Sequence, residues 1–222
     1  MKRLTKSTIR TALNLLFFAV IGTAILAATF NLTHVLIAQS EENAKLRLIS
    51  QVVPASLYDN ELIRDTLIIP ANTQLSTEQD TIAYRGRLKG KPSVVVLEAI
   101  APDGYSGKIR LIIAINHAGN ISGVRVISHK ETPGLGDYID IAKNKWIGLF
   151  EGGSHQRYRE EDWKVKKDGG QFDYMAGATI TPRAVVKAVH KSLHYFEDNR
   201  AKLFAQVTTP SADAGKKKEE TK

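Results

Sequence analysis

The sequence predicts an α+β protein with an antiparallel sheet and packed helices, preceded by one transmembrane helix. No charged residue falls between Arg10 and Glu41. Three β-branched stretches follow one another between Ser93 and Ile127, separated by turn signals. The clearest helical periodicity, Val185 to Phe196, comes after them. Strands gathered in one block and a helix closing the chain fit α+β better than an alternating α/β order.

The apolar segment comes first. Leu15–Ile21 and Ala24–Phe30 are almost unbroken hydrocarbon surface. Twenty helical residues from Ala12 to Asn31 rise about 30 Å, the thickness of a bilayer core. Gly22 and Thr23 are tolerated because a helix satisfies its own backbone in lipid. A cleaved signal peptide shares the basic start. This run is longer than the usual apolar region of such a peptide, however, and no clean small-x-small site follows within it, which favours an uncleaved anchor. Lys2, Arg3, Lys6 and Arg10 precede the segment, and mixed charge (Glu41, Glu42, Lys45, Arg47) follows it. That asymmetry puts the amino terminus in the cytoplasm and the body across the membrane.

Next, within Glu41–Val53, Leu46, Ile49, Val52 and Val53 follow a helical spacing that Pro54 ends. Asp59–Leu88 is mixed and polar, and its pattern selects no element. Strands are expected over 93–100, 108–115 and 121–127. The last two should form an antiparallel hairpin through His117-Ala118-Gly119-Asn120. Ile139, Ile141, Ala142, Trp146, Ile147 and Phe150 predict a helix stopped by Gly152-Gly153. In the final helix Thr181 is the expected cap and Pro182 fits the first turn, while Val185, Val186, Val189, Leu193 and Phe196 line one face. The expected organisation is a cytoplasmic start over 1–11, a membrane helix over 12–38, a soluble domain over 39–207 and a disordered charged tail over 208–222.

Charge and sulfur narrow the function. The net charge is +8, but half of the excess sits in the first ten residues, and residues 11–209 keep only +3. A groove for nucleic acid needs clustered charge on the folded body, so nucleic acid is not expected. The chain has no cysteine. Disulfides, Cys-ligated iron–sulfur clusters and thioether haem are excluded, and any electrons must travel on an organic cofactor.

Two segments carry chemistry. Asp173-Tyr174-Met175-Ala176-Gly177-Ala178-Thr179 places small residues and a hydroxyl directly before the last helix. A phosphate at Thr179 would meet the free N–H groups and dipole of that helix; a plain capping loop would use the same residue types. Ser128-His129-Lys130-Glu131-Thr132-Pro133-Gly134-Leu135-Gly136-Asp137 follows a strand. Pro133-Gly134 signals a type II turn, and Gly136 permits another positive φ. Such a loop suits a small molecule, or is simply a connection.

Taken together, these residues resemble a known family. Asp173-x-x-Ala176-Gly177-Ala178-Thr179 is similar to the D-x-x-[S/T]-G-A-T acceptor site for covalent flavin. His129-x-Glu131-Thr132-Pro133-Gly134-Leu135-Gly136 resembles the companion H-x-E-T-P-G-L-G segment of FMN-binding domains. With the single amino-terminal span, the chain resembles the G subunits of Rnf/Rsx ion-translocating electron transport complexes, and less closely the C subunits of sodium-translocating NADH:quinone reductases. The resemblance implies an FMN-binding fold and FMN joined by a phosphodiester to Thr179. It further implies a flavin transferase that recognises Asp173, Gly177 and Ala178, and the other Rnf/Rsx subunits as partners in a bacterial inner membrane with the domain in the periplasm. Thr181 lies near the phosphate, and Glu131, Thr132, Gly134 and Leu135 are the implied flavin and ribityl contacts. No acid–base catalyst is implied: the chain carries electrons within an enzyme without turnover of its own. Ala176 departs from the pattern, removing a hydroxyl from the recognition segment while leaving the acceptor. The competing class is a non-redox, membrane-anchored exported domain that binds a partner through the unmodified loop.

His190 and His194 stand four apart, half of a metal site, yet Lys191-Ser192-Leu193 supplies no carboxylate and no third ligand is evident. The pair therefore reads as a solvated helix face, with no metal expected. Trp146 and Trp163 read as core.

Overall fold

The computed structural model describes residues 2–205, so the tail expected to be disordered lies outside the described residues. The chain divides between Arg47 and Leu48 into two compact units. The described residues of the first unit are helical. Helix α1 runs Lys2–Val52 as one continuous element, which merges the membrane segment with the helical spacing before Pro54. Within it, Ile9–His34 is long and apolar enough to cross a bilayer. Two of its hydroxyls are spent internally: Thr29 Oγ1 donates to the Ile25 carbonyl at 2.9 Å and Thr33 Oγ1 to that of Thr29 at 2.8 Å. Neither threonine leaves a bare polar donor on this stretch, as lipid requires.

The second unit is built on a five-stranded antiparallel meander in the order β1-β2-β3-β4-β5. Strands β1 (Thr66–Ile69) and β2 (Thr81–Leu88) come from the segment whose pattern selected no element. Strands β3 (Lys91–Gly104), β4 (Gly107–Asn116) and β5 (Ile121–Ser128) are the three expected ones, lengthened at their ends. Register is tight across the centre: Leu97 faces Ile113, which faces Val124. Strand β4 turns back at Asn116–Asn120 as the expected hairpin.

Both faces of the central strands are covered, so they read as continuous rather than alternating apolar runs. Val95, Leu97, Leu111, Ile113 and Val124 bury one face against α2 (Ile180–Phe204), whose Val185, Val189, Leu193 and Phe196 are solvent-free. Ala114 pairs with Gly123 on the opposite face, and there the Cα of Val52 sits so near Gly123 that an added Cβ would lie 2.9 Å away. Ile49, Val52 and Val53 are buried at this end of α1.

The helix expected over 139–150 is absent. The segment forms 3₁₀ turns at Asp137–Ile139 and Lys145–Phe150 instead. Asp140 Oδ1 accepts from the Ala142 N–H at 2.9 Å, and Asn144 Oδ1 from that of Trp146 at 2.9 Å. Side chains that capture neighbouring N–H groups break an α-helix into separate turns. The apolar residues still reach the core: Ile139, Trp146, Ile147 and Phe150 are buried, and Phe150 stacks on Phe172 with centroids 4.7 Å apart.

One buried charge cluster ties β2 to the end of α2. The Arg85 side chain is almost completely enclosed, ion-paired with Asp65, and donates from Nη1 to the Ala205 carbonyl at 2.7 Å. Asp65 also accepts from Arg87 Nε at 2.5 Å. Removing the carboxylate strands a buried guanidinium, which costs about 3–5 kcal/mol in comparable sites. Asp65→Ala is therefore expected to lower the denaturation midpoint of the detergent-solubilised chain markedly. Fluorescence of the buried Trp146 and Trp163 gives the readout, and an unchanged midpoint would show that the cluster holds nothing together.

Candidate functional site

The two motifs converge on one cavity of about 290 Å3. Its first wall is the loop after β5. Thr132 and Leu135 close a turn, the Leu135 N–H donating to the Thr132 carbonyl at 3.1 Å, with Gly134 at φ +76° as a type II turn demands. Asp137 Oδ1 accepts from the Gly134 N–H at 2.8 Å, and Tyr138 and Ile139 are sunk in the core just beyond. Gly136 has φ −89°, so its role is not the positive φ that the sequence suggested. It makes room: a Cβ there would lie 2.7 Å from Glu131 Oε2 and 3.1 Å from Thr181 Oγ1.

The second wall is the start of α2. Met175 to Ala178 forms a turn, closed by the Ala178 N–H on the Met175 carbonyl at 3.1 Å, with Gly177 at φ +86°. Trp146 Nε1 donates to the Asp173 carbonyl at 2.7 Å and fixes where this segment begins. Thr179 occupies the position before the first helical residue, and its carbonyl accepts from the Arg183 N–H at 3.3 Å. Its side chain makes no capping bond.

Thr181 is not the cap expected from the sequence. The helix opens ahead of it, and the Thr181 hydroxyl points into the protein, donating to Glu131 Oε2 at 2.5 Å. Glu131 Oε1 accepts from the Ser106 N–H at 3.0 Å. One buried carboxylate thus joins the β3–β4 turn, the loop after β5 and the first turn of α2.

Glu131, Thr132, Leu135, Gly177, Ala178, Thr179 and Thr181 all line this cavity. Gly134 shapes the turn without lining it. Asp173 lies outside as well: it pairs with Lys166 at 2.5 Å and lines a neighbouring, more open cavity of about 540 Å3 with Tyr138, Trp146 and Leu149. Burial pushes the Tyr138 phenol up to about 12, so it stays protonated there. Sequence reasoning missed Tyr105, Gly136 and Ile180 as lining residues. The Asp103-Gly104-Tyr105-Ser106-Gly107 run was legible only as a turn, and its approach to Glu131 depends on the sheet.

The walls are apolar along Leu135, Ala178 and Ile180, and polar where the helix opens. The unpaired N–H groups of a helix's first turn favour an anion, and a hydroxyl stands beside them. Residues 104–194 match the FMN-binding domain, and residues 1–52 match the N-terminal region of the Rnf G subunit. The G subunit of the ion-translocating oxidoreductase complex of Pseudomonas aeruginosa (strain UCBPP-PA14) is 44% identical over 200 residues, spanning 90% of this chain and 94% of the relative. The G subunit from Aliivibrio fischeri (strain MJ11) is 42% identical over 194 residues, spanning 87% and 92%. That of Vibrio cholerae serotype O1 (strain M66-2) is 42% identical over 197 residues, spanning 89% and 94%. This chain belongs to the family of these G subunits. Every lining residue of both cavities falls inside the FMN-binding match.

The histidine pair on α2 also departs from expectation. The His190 side chain is only 12% exposed, lies under the Trp163 ring and is joined by His155 and Glu160 from a loop about thirty residues earlier. It does not belong to a solvated face. Burial pulls His190 down to about 4.

The carboxylate clamp is testable by substitution. Glu131→Ala leaves the buried Thr181 hydroxyl without its acceptor and costs about 1–3 kcal/mol. A melting temperature several degrees lower is expected, with Glu131→Gln in between because it keeps an acceptor oxygen. Identical melting curves for all three proteins would remove the carboxylate from its clamping role.

Proposed function

We propose that the chain is a membrane-anchored electron carrier whose FMN is esterified to Thr179, acting inside an ion-translocating electron transport complex. The observation that supports this best is the Thr179 side chain: a hydroxyl that caps nothing, set at the mouth of a helix, on the rim of a cavity inside an FMN-binding domain. A separate flavin transferase would load it from FAD. The Thr179 oxygen forms a bond to the FMN phosphorus, the pyrophosphate bond of FAD breaks, AMP leaves, and the hydroxyl gives up its proton. FMN supplies one- and two-electron chemistry when bound.

The chain's own residues hold and orient. The first-turn N–H groups of α2 would face the phosphate charge. Thr132 offers polar contacts to the ribityl chain, and Leu135, with Tyr105 across the cavity, offers apolar surface to the ring. Asp173, Gly177 and Ala178 would present the acceptor to the transferase, with Gly177 holding a left-handed bend two residues ahead of Thr179. The basic residues ahead of the span support an amino terminus in the cytoplasm and a flavin domain in the periplasm.

Intact-mass measurement of chain purified from membranes, after co-expression with its transferase, is expected to show one added FMN phosphoester. In Thr179→Val that mass and the in-gel flavin fluorescence should both vanish. Wild type lacking the added mass under those conditions rejects the ester. Topology is tested separately. Because the chain has no cysteine, Gln79→Cys carries a unique thiol between β1 and β2. A membrane-impermeant maleimide should label it in cells with a permeabilised outer membrane and leave Ser7→Cys unlabelled. The opposite pattern would invert the orientation.

A further inference from the structure

His155, Glu160, His190 and His194 each offer one ligand atom, and these atoms all lie within 4.8 Å of one another. Two elements bring them together. His190 and His194 are one turn apart on α2 and share a face. The other two come from the loop that crosses that face. Its first turn is closed by the Tyr158 N–H on the Ser154 carbonyl at 3.0 Å, which fixes His155. A 3₁₀ turn over Glu160–Asp162, locked by the Arg159 N–H on Asp162 Oδ2 at 2.9 Å, fixes Glu160.

The spacing is close to that of a coordination shell. Glu160 Oε2 is 3.2 Å from His190 Nε2 and 3.4 Å from His194 Nε2. Ligand atoms about 2.0–2.1 Å from a tetrahedral ion stand about 3.3 Å from each other. The Nε2 atom of His155 is buried without a hydrogen-bond partner among the described residues, and the buried Nε2 of His190 has the Glu160 carboxylate beside it. An unsatisfied buried nitrogen is costly, and one set beside two further imidazoles and a carboxylate asks for a partner they can share. Trp163 stacks on His190 with the rings 5° from parallel and centroids 5.1 Å apart, holding that imidazole in place. Glu197 Oε2 lies 4.0 Å from His155 Nδ1, an outer carboxylate positioned to orient the ring.

We propose that these four side chains form a closed site for a divalent transition cation of zinc type. Three imidazoles and one carboxylate favour Zn2+ over Ca2+ or Mg2+, which prefer all-oxygen shells, and the lack of thiolate disfavours Cu(I). Four protein ligands leave no open position, so the ion is structural. It clasps the 154–163 loop to α2, and with it the length of chain leading into the Asp173–Thr179 acceptor segment. His190 lies eleven residues along α2 from Thr179, about 16 Å, so the site is separate from the flavin cavity.

The test uses tag-free full-length chain in detergent, stripped with a chelator and titrated with Zn2+ or Co2+. One equivalent of Zn2+ is expected to bind with micromolar or tighter affinity, and Co2+ should give the intense visible absorption of a four-coordinate ion. A hundredfold excess over Kd should raise the melting temperature by about 5–10 °C. His194→Gln, at a half-exposed position that tolerates change, should weaken Zn2+ binding by about tenfold or more and abolish the thermal shift, as should Glu160→Gln. Thr179→Val should bind Zn2+ like wild type. No saturable Zn2+ binding by wild type up to 100-fold above micromolar levels, or equal affinity in His194→Gln and Glu160→Gln, would overturn the site.

Discussion

The site depends on one buried carboxylate. Glu131 reaches out of the loop after β5 and accepts from both the Ser106 N–H and the Thr181 hydroxyl. The loop, the β3–β4 turn and the start of α2 have no backbone ladder in common. Without a shared acceptor, each would find its own position on the edge of the sheet. The carboxylate has two oxygens with divergent lone pairs, so it can hold two neutral donors at once. Gly136 is the steric counterpart, because any side chain there would fill the space the carboxylate occupies. Loop sequence and helix sequence are thus coupled through one side chain, and the cavity is the space left between them.

What the sequence disclosed, and what it hid, follows from the range of the interactions. The membrane span, β3 to β5 and α2 are specified locally, by apolar runs and periodicities that a single segment displays. The acceptor turn was also legible, since small residues before a helix have few uses. Strands β1 and β2 were not. Their pairing buries Arg85 with Asp65, and a buried ion pair looks polar in a pattern that treats charge as surface. The segment from Asp137 to Phe150 misled in the opposite sense. Its apolar spacing is helical, but Asp140 and Asn144 hydrogen-bond to the backbone two residues on and convert it to turns. Thr181 was misplaced as a cap because its true partner is fifty residues away. The pair His190 and His194 reads from the sequence as a solvated helix face for the same reason, because His155 and Glu160 lie on a loop that only the tertiary fold brings near.

The electrostatics around Thr179 bear on how a phosphate would be kept there. Lys166, Arg183 and Lys187 lie close in sequence, yet each is committed to a carboxylate: Asp173, Asp168 and Asp103 respectively. The Arg183 guanidinium, bonded to both oxygens of Asp168, holds that carboxyl below the usual range, and Lys187 does the same for Asp103. None of these three cations is left to clamp an anion at the helix mouth. The helix terminus itself is worth about 0.3–1 kcal/mol at an exposed site. That is far too little to retain a nucleotide reversibly through its phosphate, since each tenfold in affinity needs about 1.4 kcal/mol. An ester bond removes the requirement. On the proposed reading, the weakness of the anion site and the free hydroxyl beside it are two sides of one design. The helix terminus orients a phosphate that a covalent bond retains, and the cavity walls are then free to position the ring rather than to grip it.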